Sequence, residues 1–206
     1  LTDDAAVAER AGLTVTLVED REDNLKITTS NDLVRATRTM AGGGHMAVGS
    51  GFDMHKFGPG DHIRMCGVDI PHTNGLIGHS DADTGLHAIT DALLGTVGGG
   101  DIGVHFPPSD IRWAGADSAL FVQFALEQIQ ARSGRISHID LTIICEAPKI
   151  GPHRTAMLAR LAELLGLGEG RINVKATTTE GLGVTGRREG VAVQATATVM
   201  FAGSPR

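Results

Sequence analysis

Apolar residues along the chain recur in two periods, and the switches between them outline the elements. Near the start, Asp4 to Ala11 has helical spacing, Leu13 to Val18 reads as a strand, Glu19 to Asn24 as a charged turn and Leu25 to Thr28 as a second strand. Asp32 to Met40 then reads as a charged helix. These elements carry too little apolar surface to fold alone. The glycine run at Ala41 to Gly44 marks a boundary, so we divide the chain into residues 1–40, a linker at 41–45 and a main domain at 46–206.

Beyond the linker, Ala47 to Phe52 and Ile63 to Val68 read as strands. A long helix is expected over Asp81 to Val97, with Leu86, Ile89, Leu93 and Leu94 at helical spacing and Ser80 to Asp83 as an S-x-x-D cap. Asp117 to Ser133 predicts another helix, with Leu120, Phe121, Phe124 and Ile129 on one stripe. Ile139 to Cys145 is a strand, Pro152 to Leu165 a helix with proline in its first turn, and Ile172 to Thr177 and Val191 to Phe201 are further strands. This order predicts an α+β fold in which a sheet and helices pack as two layers.

Charge and composition narrow the function. Eighteen Lys and Arg against twenty-four Asp and Glu give a net charge of -6, with no basic stretch to neutralise a phosphate polymer, so nucleic-acid binding is not expected. No apolar run approaches the roughly 18–20 residues that cross a bilayer, and no basic segment leads into an apolar one at the start, so no membrane association is expected and the protein reads as cytoplasmic. The first residue is Leu1, which suggests a piece of a longer chain. Cys66 and Cys145 are too sparse for a disulfide framework and read as buried thiols. Twenty-eight glycines, clustered at 42–44, 98–100 and 181–190, mark loops that bend sharply or approach a ligand closely.

Six groups of residues can carry chemistry. Asp53 and His55, two apart in extended chain, point to one side and can share a metal; they equally fit a turn-capping Asp and a surface His. Asp83, His87 and Asp91 fall on one helical face, which suits either a solvated acidic face or a ligand set. Joined to Asp53 and His55, His87 completes two imidazoles and a carboxylate, the donor count of a catalytic zinc with one open position. Asp83 or Asp91 is then expected to hold the distal imidazole nitrogen. His79 and Ser80 at the mouth of the same helix suit an anion, or Ser80 a plain cap. The loop Gly98 to Gly103 carries Asp101, suited to ribose hydroxyls or to a simple turn. Lys175 to Glu180 offers three hydroxyls and a carboxylate for phosphate and a hard cation, or a β-branched strand. Ala147, Pro148 and Lys149 follow the strongest strand as a connecting or base-binding loop, and Arg187 and Arg188 suit an anion or solvent.

Together these motifs resemble the 2-C-methyl-D-erythritol 2,4-cyclodiphosphate synthases of non-mevalonate isoprenoid biosynthesis. The likeness rests on GSGFDMH (49–55), GLIGHSDADTGLHAITDALLG (75–95), GDIGVHFPPSD (100–110), GADS (115–118), APK (147–149) and NVKATTTEGLG (173–183), in one order over about 160 residues. The resemblance implies a lyase forming a cyclic diphosphate and CMP from 4-diphosphocytidyl-2-C-methyl-D-erythritol 2-phosphate. It implies zinc or another transition metal on Asp53, His55 and His87, and magnesium or manganese beside Glu180. His79 and Thr178 match residues assigned to transition-state stabilisation. Asp53, His55, Ser80, Asp101, Ile102, Gly103, Phe106 and Asp110 would meet the phosphates, ribose and methylerythritol. Cys145, Ala147, Pro148, Lys149, Gly151, Thr177, Thr178, Thr179 and Glu180 would hold the cytidine diphosphate.

The resemblance also implies a homotrimer with active sites between subunits and an isoprenoid diphosphate near Val184 and Arg187 on the threefold axis. Three positions depart from the family pattern: Val184 for a frequent Phe, Pro108 for an acidic residue, and Glu146 for a Gln found in some members. The segments 1–20 and 23–36 resemble the C-terminal tail of the 4-diphosphocytidyl-methylerythritol cytidylyltransferases, with Lys26 matching a phosphate-binding lysine, so a bifunctional bacterial parent is expected and no nucleotidyltransferase activity is expected of these 206 residues. Two other classes compete: a zinc phosphohydrolase whose open metal position activates water, and a catalytically idle nucleotide- or isoprenoid-binding module.

Overall fold

A computed structural model of the chain describes residues 4–16, 18–19, 26–40 and 44–203. The chain divides at Gly44 into two compact units. In the first, α1 spans Asp4–Arg10 and α2 spans Ser30–Met40. The Asp32 carboxylate starts α2 by accepting the Thr28 and Thr29 N–H groups, at 3.2 and 2.9 Å. The strand expected at Leu13 to Val18 is absent among the described residues there, and Lys26 to Thr28 are likewise irregular. Among the described residues no second strand lies beside it, and an extended run without one has no strand partner for its backbone groups. Residues 20–25, which hold most of the expected charged turn, and linker residues 41–43 lie outside the described residues.

The second unit holds strands β1 (His45–Gly58), β2 (His62–Met65), β3 (Val68–Pro71) and β4 (Gly75–Ile77), then helices α3 (Thr84–Thr96), α4 (Ile102–His105) and α5 (Ala119–Gln130). Strand β5 (Gly134–Ile144), helix α6 (Arg154–Leu165), strand β6 (Ile172–Thr177), helix α7 (Gly183–Gly186) and strand β7 (Gly190–Phe201) complete it. Five strands form one sheet in the order β4-β1-β7-β5-β6, antiparallel except for the parallel pair β5 and β6, which α6 connects. The expected sheet-and-helix layering is therefore observed. Among the described residues no helix is long and apolar enough to cross a membrane.

Alternation along the strands decides which face is covered. Val191, Val193, Ala195, Ala197 and Val199 of β7 and Ile139, Leu141 and Ile143 of β5 point to one side and are buried with residues of α3, α5 and α6. On β1 the same side carries Gly49 and Gly51, then Asp53 and His55. The two glycines matter because a Cβ on Gly49 would sit 2.0 Å from the Ala92 carbonyl oxygen, and one on Gly51 2.0 Å from that of Ala88. Helix α3 therefore lies directly against β1, which brings its His87 to the carboxylate and imidazole of the strand.

Several expected elements are corrected. Strand β1 runs on to Gly58, so Asp53 and His55 sit within it rather than at its end. Ile63 to Val68 is not one strand but the β2–β3 hairpin, because Cys66 and Gly67 take left-handed φ values of 53° and 74° and reverse the chain. Helix α3 starts at Thr84, since Ala82 has φ 58°, and its cap is Asp83 rather than Ser80. The Asp83 carboxylate accepts N–H groups from Leu86 (2.9 Å), Cys66 (2.7 Å) and Gly67 (2.5 Å), tying the helix start to the hairpin turn. In α5 the inner stripe is Phe121, Val122, Ala125 and Ile129, while Leu120 is 56% exposed. Pro152 opens a short 3-10 turn, Gly151–His153, ahead of α6. Both cysteines are buried and unpaired, as expected.

Candidate active site

A cavity of about 230 Å³ opens beside β1 and the start of α3, lined by Asp53, His55, His79, Ser80, His87, Ile102, Gly103, Phe106, Pro108, Trp113 and Phe121. At its floor three donors converge. Asp53 Oδ2 lies 3.1 Å from His55 Nε2 and 2.9 Å from His87 Nδ1, and the two nitrogens are 3.1 Å apart. Donors about 2.0–2.1 Å from one tetrahedral ion are separated by little more than this, so the triangle fits a metal of the zinc class. The chemistry of the donors agrees. His55 Nδ1 is 2.9 Å from the Ile77 carbonyl oxygen, which only accepts, so in the neutral ring Nδ1 carries the proton and Nε2 turns its lone pair to the cluster.

Electrostatics hold the carboxylate charged. Burial opposes ionisation of Asp53, yet hydrogen bonds and charge from His55 and His87 outweigh it and hold the carboxyl well below its usual range. Burial likewise opposes a charged His55, but its Asp53 partner raises the imidazole above its ordinary value. A cation would take over the role of those ring protons.

The distal side of His87 is not built as the helical spacing suggests. Asp83 is occupied as the helix cap, and Asp91 accepts the Ile102 N–H at 2.7 Å. His87 Nε2 instead meets the hydroxyls of Ser118 (2.8 Å) and Ser80 (2.9 Å), with Asp81 behind Ser118. Sequence spacing cannot reveal this, because Ser118 arrives from a different helix, although the GADS motif contains it. Burial holds Asp91 above its usual range, and its bond to Ile102 links the metal helix to the loop that walls the cavity.

The remaining cavity residues are firmly seated. His79 Nε2 is 3.3 Å from the Asp110 carbonyl oxygen, and the Asp110 carboxylate caps the Ile111–Trp113 turn and pairs with Arg112. Asp101 caps α4 by accepting the Val104 N–H at 3.0 Å. Phe106 meets Trp113 and Phe124 edge to face and Phe121 at a tilt, forming an aromatic wall.

A second cavity, of about 380 Å³, is lined by Cys145, Pro148, Lys149, Ile150, Gly151, Pro152, Ala176, Thr177 and Thr178. Cys145 is an inert wall: burial, with the Glu146 charge against it and Lys149 only partly offsetting, pushes its thiol up to about 11. The loop after β6 is held by Glu146, whose Oε1 accepts the Thr179 N–H at 3.0 Å and the Gly181 N–H at 3.3 Å. Those backbone bonds hold the Glu146 carboxyl below its ordinary range. The Thr179 hydroxyl donates to the Leu182 carbonyl, and exposed Glu180 accepts from the Thr178 hydroxyl at 2.6 Å. Farther on, Val184 is 38% exposed and Arg187 pairs with Glu189 at 2.8 Å.

These two cavities share no lining residue. Register shows why: Asp53 pairs with Val193, Val193 with Ile143 and Ile143 with Ala176, so both sites lie at one end of the sheet but three strands apart, about 14 Å.

Residues 46–200 match the YgbB family, and residues 1–41 match 2-C-methyl-D-erythritol 4-phosphate cytidylyltransferase. Among curated relatives, the bifunctional enzyme IspD/IspF of Rhodospirillum rubrum is 60% identical over 199 residues, covering 97% of this chain and 52% of its own. That of Paramagnetospirillum magneticum is 59% identical over 200 residues, covering 97% and 52%. The chain thus spans about half the length of the curated relatives it matches. Among solved structures, the bifunctional IspDF from Campylobacter jejuni matches with a TM-score of 0.75 at 35% identity, over 98% of this chain and 54% of the other. A 2C-methyl-D-erythritol-2,4-cyclodiphosphate synthase in a CDP-bound form matches with a TM-score of 0.68 at 37% identity, over 74% of this chain and 99% of the other.

Proposed function

The chain belongs to the YgbB family of 2-C-methyl-D-erythritol 2,4-cyclodiphosphate synthases, and from that premise we propose that its two cavities are the two halves of that active site. The reaction is intramolecular. An oxygen of the 2-phosphate of 4-diphosphocytidyl-2-C-methyl-D-erythritol 2-phosphate attacks the β-phosphorus, the bridge to the α-phosphorus breaks, and CMP leaves as the cyclic diphosphate closes. The observation that carries the reading is the triangle of Asp53, His55 and His87 at the floor of a phosphate-sized cavity.

Phosphoryl transfer asks for charge neutralisation and in-line positioning more than for a protein nucleophile. Zinc on the triad and magnesium or manganese beside Glu180, when bound, neutralise the diphosphate and orient it. His79 and Ser80 border the triad and offer donors to the transferred phosphoryl oxygens. Asp101 to Gly103 and the aromatic wall at Phe106 enclose ribose and methylerythritol. The cytidine diphosphate lies along Cys145 to Gly151, with Lys149 near its phosphates and the Thr177 to Glu180 loop beneath, where Thr178 stabilises the transition state.

Because the halves stand about 14 Å apart in one copy, the complete site forms where the metal cavity of one subunit meets the nucleotide loop of the next. The uncovered sheet face supports this assembly. Met46, Val48, Phe52 and Met54 of β1 are 61, 59, 58 and 44% exposed in a row, a patch that self-association would bury. We infer a homotrimer, whose axis would run near Val184 and Arg187 and could take an isoprenoid diphosphate. Residues 1–40 are then the end of a cytidylyltransferase domain joined through residues 41–45, and the whole protein catalyses both steps.

A phosphorus NMR time course with substrate and magnesium tests the reading. Cyclic diphosphate and CMP should rise together, stop on adding a zinc chelator, and fall more than about a hundredfold in His87→Ala. Linear phosphate in their place would mean a hydrolase, and CDP binding without turnover a binding module.

A further inference from the structure

Behind His87 lies a polar chain that the triad itself does not require. Ser118 is fully buried at the start of α5, in the position where a serine ordinarily caps the helix, yet its hydroxyl makes no capping bond. That hydroxyl instead donates to Asp81 Oδ1, while the Ser118 N–H donates to Asp81 Oδ2 at 3.1 Å and Arg64 Nε pairs with the same oxygen at 3.3 Å. A hydroxyl has one proton. With that proton committed to Asp81, and with Asp53 likewise only accepting at Nδ1, Ser118 Oγ at 2.8 Å can receive a hydrogen from His87 but give it none, so once Nδ1 binds a metal the hydrogen stays on Nε2. Ser80 Oγ, 2.9 Å from the same nitrogen, can share that N–H and keep its own proton for a ligand in the cavity.

From this polarity we infer that Ser118 and Asp81 are positioning residues that hold the hydrogen on His87 Nε2 and so release Nδ1, whose proton Asp53 otherwise accepts, to a metal ion. The inference rests on the reading of the triad as a metal site and adds what makes its third donor competent. His55 is fixed in the opposite sense by the Ile77 carbonyl, so both rings can offer a lone pair to the same ion.

Asp81→Asn separates this role from a structural one because the side chain keeps its shape. Oδ2 accepts the Ser118 N–H and faces the Arg64 charge in an ion pair, so the amide oxygen is drawn to that side, at the expense of the longer Asp83 N–H bond to Oδ1 (3.2 Å). The amide nitrogen then faces Ser118 Oγ, its proton turns the hydroxyl toward His87 Nε2, and Nε2–H loses its acceptor. The experiment is zinc titration against a chromophoric chelator, paired with proton–nitrogen NMR of the His87 Nε2–H in the zinc-loaded chain.

Asp81→Asn and Ser118→Ala should each bind zinc 10- to 100-fold more weakly than the wild-type chain, about the usual effect of such partners, and the zinc-loaded wild type should show a slowly exchanging, hydrogen-bonded His87 Nε2–H. A freely exchanging Nε2–H in the zinc-loaded wild type, which needs no variant to fold, would overturn the inference, as would unchanged zinc affinity in folded Asp81→Asn. A wild-type chain that binds no zinc would instead overturn the triad reading itself.

Discussion

At the residue scale, the site depends on hydrogen bonds whose direction is forced, and the loop beyond β6 offers an accessible case. Glu146 holds the Thr179 and Gly181 amides, and those bonds lower its pKa below the ordinary 4.5. A depressed folded value means that the bonds contribute fully above the ordinary pKa and are lost as pH falls through the lower folded value. The Thr179 and Gly181 amide resonances should therefore titrate together with a midpoint below 4.5, and Glu146→Gln should abolish that titration; a midpoint at or above 4.5 would mean the carboxylate does not hold the loop. Sequence alone exposed Asp53 and His55, because a strand's period of two puts them on one side. His87 came from counting donors together with the motif. Asp81 and Ser118 were hidden because their roles arise only when α5 packs beside the start of α3.

At the scale of elements, the contact between α3 and β1 builds the candidate metal site, and it is bare backbone against backbone. Adding one methyl at Gly51 forces the strand against the Ala88 carbonyl, one residue from His87. Gly51→Ala should cost about 1–3 kcal/mol of stability in chemical denaturation and weaken zinc binding in parallel, whereas Gly168→Ala, with open space around it, should change neither. Strands β6 and β7 and the sheet-and-helix layering were legible from alternation. The β2–β3 hairpin was not, since Cys66 takes a left-handed conformation that its residue type does not advertise. The true start of α3 was missed for a similar reason: Asp83 serves as cap because it also collects the amides of that hairpin turn. The run at Leu13 to Val18 had strand propensity, but among the described residues no strand lies beside it.

At the scale of the whole molecule, the sheet sets the two proposed half-sites three strands apart, and the proposed assembly completes each with a neighbouring copy. That claim is tested most directly by mixing two dead enzymes. His87→Ala removes a metal donor and leaves the nucleotide loop whole; Thr178→Ala, with Lys149→Ala, spoils the nucleotide half and leaves the triad whole. Each alone should yield almost no cyclic diphosphate by phosphorus NMR. Unfolded and refolded together in equal amounts, they should recover about a quarter of wild-type turnover, the share of junctions that pair an intact metal half with an intact nucleotide half. Recovery near zero, with mixed oligomers present, would show that each copy works alone and would contradict the account.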